Sequence, residues 1–542
     1  MSEASLEREH AVASVDLIIV GAGWAGMYML RKALQLGLKT QVFEKGEDVG
    51  GTWYWNRYPG LRCDVESTDY SYSFDEDLQQ EWEWSERFAS QPEILKYAKH
   101  VADRFGLRPY IRFNTQISAL HYDEQASLWH ATSKTGDRLT SRFVVMASGC
   151  LSVPKPVDIP GLGSFTGEVY HTADWPHTPV DFTGKRVGLI GTGSSGIQVM
   201  PILAQQAEHL FVYQRTPSFS LPAHNAPLNE KHVQRLKADY SKHRRIAREN
   251  TLGGIPFVSY NESALNVSPV ERWRVYEEIY NRGAPFAMMS AFNDILVNEE
   301  ANQTLVEFVA EKIRGKIKDP ALAEQLIPKD QHIATRRLCI DSGYYEAFNQ
   351  DNVSLVNLKR TPIERITPDG IETVVDTQKL DCIVFATGYD AMTGALLAID
   401  IRGRQGDSLQ DKWRDGPHTY LGLSMAGFPN LFTVTGPGSP AVLSNMFVSI
   451  EQHVEWIADC LAWITQNGWQ RIEAENSAED NWVTHVNEVA NSTLFPKGNS
   501  WYLGANVPGK PRVFMPYIGG VGNYRKICND VASSGYRGFK FS

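Results

Sequence analysis

No stretch of this sequence is apolar for long enough to cross a bilayer. The longest such run starts at Leu17 and is broken after one strand's length by Gly21, Gly23 and Gly26. Cysteine is scarce and unpatterned. The six residues, Cys63, Cys150, Cys339, Cys382, Cys460 and Cys528, include no CxxC pair, so neither a disulfide framework nor a zinc or other metal site is expected. A reducing cytoplasm is the natural compartment. The first dozen or so residues are polar and of mixed charge, a loose tail without the basic start and apolar core of a signal peptide. Excess basic charge is also missing: a net charge of -10 argues against nucleic acid or an anionic membrane surface as the main partner.

What is present is enough chain, 542 residues with 42% hydrophobic and 21% charged, for two or three domains around a large interior. Asp16 to Gly46 reads as a βαβ unit, with LIIV a buried strand, GAGWAG the turn, an amphipathic helix closing on glycine, and TQVFEKG the next strand. Glycines at Gly21, Gly23 and Gly26 bring backbone N–H groups to a pyrophosphate at a helix N-terminus, and Glu44 falls at the spacing where an acid meets a ribose 2′-hydroxyl. A second unit starts at Val187, turns at Gly191, Gly193, Ser194 and Gly196, and ends at FVYQRT. The same number of positions separates Gly21 from Glu44 and Gly191 from Gln214. Where the first unit has an acid, the second has neutral Gln214 followed by Arg215 and Thr216, which removes repulsion for a 2′-phosphate and supplies a guanidinium and a hydroxyl for it. FAD or NAD is expected at the first turn and NADP at the second.

The expected fold is α/β, with two Rossmann-like dinucleotide-binding domains, for FAD and NADP, and a helical insertion. Residues 1–150 and 386–542 form the first domain, 151–226 and 331–385 the second, and 227–330 the insertion. Pro154, Pro156 and Pro160 mark a connection between domains, and FVVMASG and LDCIVFATGYD are matched strand-then-glycine endings at two crossings. In the insertion, Leu305, Phe308, Val309 and Ile313 form an apolar stripe, and the basic run KHVQRLKADYSKHRRIARE reads as a solvated helix face. Gly and Pro rich LGANVPGKP near the C-terminus reads as a flexible cover.

Two nucleotide sites in one chain point to electrons passing from a nicotinamide to a flavin. A disulfide reductase would need a paired redox cysteine motif, which is missing, and Ser194 and Ser195 lie in a phosphate turn and not in a GxSxG elbow. Oxygen is the remaining obvious acceptor. The segment FTGEVYHTADWP resembles the FxGxxxHxxxWP fingerprint of type I Baeyer-Villiger monooxygenases, and GGTWYWNRYPGLRCD, Gly50 to Asp64, resembles that family's second signature. The similarity runs from Asp16 to the C-terminus and includes ATRRLCIDSGYYEAFN, FATGYD and GPGSPAVLSNM.

The resemblance implies an NADPH- and FAD-dependent enzyme that converts ketones to esters or lactones with O2 through a flavin C4a-peroxide, with sulfoxidation as a side activity. It places catalysis on Arg337, whose permanent charge keeps the peroxide anionic, and on Asp64, which pairs with it. It also implies cofactor contacts for Gly51, Trp53, Asp64, Arg336 and Trp501. Arg336 stands where family members carry Lys, which keeps the charge and changes the geometry at the NADP phosphate. His171 reads as a hydrogen-bonded structural residue. The alternatives are a flavin monooxygenase oxidising nitrogen or sulfur, from which Trp175, Pro176 and Asp64 distinguish the ketone pattern, and a nucleotide sensor without turnover, which would leave Arg337 without a purpose. Partners are a small ketone and O2, and the chain is expected to be a monomer or weak oligomer.

Overall fold

The computed structural model describes residues 13–257 and 260–542, so the polar N-terminal stretch lies outside the described residues, as do positions 258–259 of the helical segment. None of the described helices is long and apolar enough to cross a membrane.

Two separate sheets carry the two glycine turns. The first has eight strands, with Ala13–Val20 at its centre, parallel to Thr40–Phe43 on one side and Arg138–Met146 on the other. Leu17, Ile18 and Ile19 are buried on both faces of the sheet, which is why this strand is continuously apolar instead of alternating. Ile117–Asp123 and Leu128–Ser133 extend the sheet antiparallel beyond Arg138–Met146. The chain returns to this sheet late, with Asp400–Arg402 beside Ile117–Asp123 and Leu431–Thr433 beside Arg138–Met146. The helix Met446–Gln466 then packs Val454, Ile457 and Leu461 into the same core as Met27 and Leu30 of the helix after the first turn.

The second sheet has five strands, all parallel, in the order Val353–Asn357, His209–Gln214, Arg186–Ile190, Cys382–Phe385, Glu168–His171. Its last member comes from within FTGEVYHTADWP. Glu168–His171 is an edge strand, paired with Cys382–Phe385, and a four-residue run followed by a turn gives no period by which a sequence could announce it.

The two sheets end alike. After Arg138–Met146 the carbonyl of Ala147 lies beneath Gly21, and after Cys382–Phe385 the carbonyl of Ala386 lies beneath Gly191. Helices dominate from Glu230 to Leu326, and Leu305, Phe308, Val309 and Ile313 are buried. They share one apolar cluster with Val187, Leu189 and Val212, so these helices complete the core of the second sheet and are no outlying module. The basic run departs from a solvated face at Tyr240, Arg244 and Ala247, which are buried, and one of these is a cation. Arg244 is buried and donates to the carbonyl of Asp69 at 2.9 Å and the hydroxyl of Ser71 at 2.6 Å, pinning its helix to the aromatic segment before it.

Candidate functional site

Both helices that follow the glycine turns begin without a side-chain cap. Gly23 and Gly193 occupy the capping positions, and neither first turn contains an acid. Their leading N–H groups therefore lack intrahelical partners and carry the positive end of each helix dipole. Both turns open into one cavity of about 1400 Å3, lined by Gly21, Gly23, Gly51, Gly191, Gly193 and Ser194 among others.

The glycines act in two ways. Gly21 and Gly191 have φ of +107° and +113°, and a Cβ would stand 2.5 Å from the Ala147 oxygen and 2.4 Å from the Ala386 oxygen, so both backbones need glycine. Gly26 and Gly196 are buried behind the turns, where a Cβ would stand 1.8 Å from the Gly21 oxygen and 2.1 Å from the Gly191 oxygen. Their part is to let each helix approach its own turn. Gly196→Ala should therefore cost about 1–3 kcal/mol through overpacking, measured as a fall in the thermal midpoint, and an unchanged midpoint would refute that close approach.

Glu44 is buried and lines the cavity, its two oxygens accepting from the backbone N–H of Ala22 and of Gly46, both at 2.8 Å. Each oxygen keeps a lone pair with which to meet a ribose hydroxyl. The positive-φ turn at Gly50 and Gly51 lays its backbone on Gly23, and Trp53, its indole donating to Tyr70 at 3.0 Å, forms the adjoining wall.

Asp64 and Arg337 meet in the wall of this cavity although 273 residues separate them. The contact is a two-pronged fork, Nε to Oδ2 at 2.7 Å and Nη2 to Oδ1 at 2.8 Å, and Nη1 donates to the Val442 carbonyl at 2.7 Å. Burial works against the guanidinium charge, but Asp64 outweighs it and raises the Arg337 pKa above its ordinary value. About a fifth of each side chain remains accessible, 21% for Arg337 and 22% for Asp64, so the charge faces the cavity without being dissolved in water. The guanidinium also lies over the ring of Phe286, 5.2 Å from its centroid.

A second group of cations lines the cavity. Arg215, Arg336 and Lys155 all border it, and among the described residues none of the three has a carboxylate partner within ion-pair distance. Burial first, and then the charge of Arg215, depresses the pKa of both Arg336 and Lys155. Arg336 donates through Nε to the Asn499 carbonyl at 3.0 Å, which leaves its terminal nitrogens available. Lys155 was not expected, since a lysine between Pro154 and Pro156 carries no motif. Thr216 borders the same region, where its carbonyl accepts from Thr192 at 3.1 Å. Gln214 behaves differently from the expectation. It is buried away from the cavity and donates to the Gln325 carbonyl at 2.8 Å, so that of Gln214, Arg215 and Thr216 only the last two border the cavity.

Trp501 lines the cavity, half-buried, with its ring 4.3 Å from that of Tyr502. The stretch after it is tied down by Asn506, donating to the Tyr389 carbonyl at 2.8 Å, and by Lys510, paired with Asp390 at 2.5 Å. His171 stands in a structural setting: it accepts from the Ala173 N–H at 3.1 Å, contacts the Thr387 hydroxyl at 3.2 Å, and has its pKa lowered by burial.

The residues thus fit two dinucleotides: two uncapped helix N-termini on one cavity, an acid at the first and unpaired cations near the second. Comparison with known proteins agrees. Residues 14–226 match the flavin-binding monooxygenase-like family. The chain is 40% identical over 527 residues to a Baeyer-Villiger monooxygenase of Pseudooceanicola batsensis, a match covering 97% of this chain and 96% of that one. It is 41% identical over 527 residues to a phenazine N-monooxygenase of Lysobacter antibioticus, again covering 97% of this chain and 96% of the relative. A solved structure of an oxidised steroid monooxygenase bound to NADP has a TM-score of 0.94 at 50% identity and covers 98% of this chain and 99% of that chain. The chain belongs to the type I Baeyer-Villiger monooxygenase family.

Proposed function

We propose that this protein inserts one atom of O2 beside the carbonyl of a ketone, giving an ester or lactone and water at the expense of NADPH. FAD would lie along the first turn, with Gly21, Gly23, Gly51 and Trp53 against it and Glu44 at its ribose. NADPH would lie along Gly191, Gly193 and Ser194, with Arg215, Thr216, Arg336 and Lys155 around the 2′-phosphate and Trp501 at the cover. The flavin supplies oxygen activation, which no side chain can perform, and the nicotinamide supplies the electrons.

The remaining work falls to the chain. Insertion beside a carbonyl needs the attacking oxygen to be anionic, whereas oxidation of an amine or thioether uses it protonated. Arg337 cannot release its proton, and its place in a largely dry wall makes its charge act strongly on that oxygen. Asp64 and the Val442 carbonyl hold three of the five guanidinium N–H donors, fixing the plane of the group in the cavity wall. The observation that carries this reading is the Asp64–Arg337 fork in the wall of the cavity into which both glycine turns open.

The test is direct: purified yellow holoenzyme, NADPH and air, with linear, cyclic and aryl ketones, products identified by mass spectrometry. Ester or lactone is expected from at least one ketone. The resemblance to a phenazine N-monooxygenase supports a second reading, oxidation of a ring nitrogen, so phenazines, amines and thioethers belong in the same panel. Vigorous turnover of those with no ester from any ketone would replace the first reading with the second.

A further inference from the structure

We propose that Gln198 is a positioning residue, holding the segment that bears Asp64 against the helix that cradles the nicotinamide cofactor. This rests on the oxygenation reading above. The first two turns of the helix Ser194–Gln206 touch the chain on either side of the fork, near Asp64 and near Arg337, without touching the fork itself. On one side, the Gln198 amide oxygen accepts from the Tyr58 hydroxyl at 3.0 Å and its nitrogen donates to the Arg62 carbonyl at 3.1 Å. Between these two bonds Gly60, at φ +84°, runs so close that a Cβ would stand 2.4 Å from the Gln198 backbone oxygen. On the other side, the Ser194 hydroxyl lies 3.2 Å from the Cys339 sulfur, which contacts the Arg337 carbonyl oxygen at 3.5 Å.

Ser194 and Gln198 are four positions apart and share one helix face. That face is thus bracketed by the two stretches of chain that deliver Asp64 and Arg337. Tyr58, Gln198 and Ser194 also line the cavity, so cofactor that moves the helix moves both. An amide is suited to this place because it accepts and donates at once. No other natural side chain of its length bonds both the Tyr58 hydroxyl and the Arg62 carbonyl without charge. Loss of the clamp leaves the uncapped N–H groups and the cations in place, so cofactor still binds, while the Asp64–Arg337 fork loses its fixed relation to it.

The experiment uses holoenzyme carrying Gln198→Met, Tyr58→Phe, or both. Ester formed per NADPH consumed should fall about fivefold in Tyr58→Phe, the size of one neutral hydrogen bond, and further in Gln198→Met, which loses two, with hydrogen peroxide making up the difference. The dissociation constant for NADP+ should stay within about twofold, because the phosphate contacts are untouched. Added to Gln198→Met, Tyr58→Phe should cost nothing more, since Gln198→Met already removes the Tyr58 contact. Amide hydrogen exchange in residues 58–64 should quicken in Gln198→Met while that of 189–196 does not. Wild-type yield and exchange in both single variants would overturn the proposal, as would loss of NADP+ affinity in step with ester yield, which would make Gln198 a cofactor contact instead. The exchange comparison decides the clamp even if wild type makes no ester, an outcome that would sink the oxygenation reading by itself.

Discussion

Arg337→Ala is expected to lower ester formation by about 10²–10³-fold, the usual cost of removing a group that stabilises charge in a dry site. NADPH should still be consumed, with hydrogen peroxide as product. The physical reason is a division of labour across the cavity: the helix N-termini and the cations around Arg215 are intact in this variant, so both cofactors bind and exchange electrons. Only the fixed charge that we propose acts on the reacting oxygen is gone. Asp64 then loses the fork at 2.7 and 2.8 Å and becomes a carboxylate facing the reactants, which disfavours an anionic oxygen further. Arg337→Lys separates charge from geometry. A lysine restores the charge as a point on a flexible stem without the two-pronged fit to Asp64, so its ester yield should fall between wild type and alanine. Normal ester formation in Arg337→Ala, measured as product per NADPH, would remove Arg337 from the chemistry.

Much of this site is legible in sequence because its parts are local. A strand, a glycine turn and a helix lie within one run of chain, so their spacing places Gly21, Gly23, Gly191 and Gly193 on the cavity, and the end of the next strand carries Glu44 and Arg215. The fork is another matter. Asp64 and Arg337 are far apart in sequence and no periodicity links them; only the family resemblance joins them, and the structure gives their contact. Three further features escape a sequence reading for similar reasons. Lys155 sits in a proline-rich connection with no pattern of its own, and Phe286 comes under the guanidinium from a short helix, Pro285–Met289, whose direction depends on tertiary packing. Gln214 has the right position and the wrong orientation, because a strand's alternation turns it from the cavity while Arg215 turns toward it. The burial of Arg244 within a basic run teaches the same lesson: a cation in such a run can face inward when a backbone carbonyl and a hydroxyl there accept its hydrogen bonds.

Arg215→Ala is expected to raise the Michaelis constant for NADPH by about 10–100-fold, the worth of one charge-assisted phosphate contact, and to leave that for NADH nearly unchanged. The two cofactors differ only in the 2′-phosphate, so the ratio isolates the contact. Some preference for NADPH should survive, since Arg336 and Lys155 remain in the same wall. The surrounding electrostatics add a second, less obvious expectation. Among the described residues these cations have no carboxylate within ion-pair distance, and burial first, then the charge of Arg215, depresses the pKa of Arg336 and Lys155, the second cause being like-charge repulsion. Removing Arg215 relieves that repulsion. Thermal stability without nicotinamide cofactor should then hold steady or rise, whereas the stabilisation gained on adding NADP+ should shrink, following its weaker binding. A group kept for packing would show the reverse, losing stability in both states together. Equal use of NADPH and NADH by wild type, or an unchanged ratio in Arg215→Ala, would contradict the phosphate site. Arg336→Lys completes the comparison, because it restores the residue that the family resemblance leads one to expect. If the fork of Arg336 grips the phosphate, the lysine variant should lose discrimination; if charge alone matters, it should not.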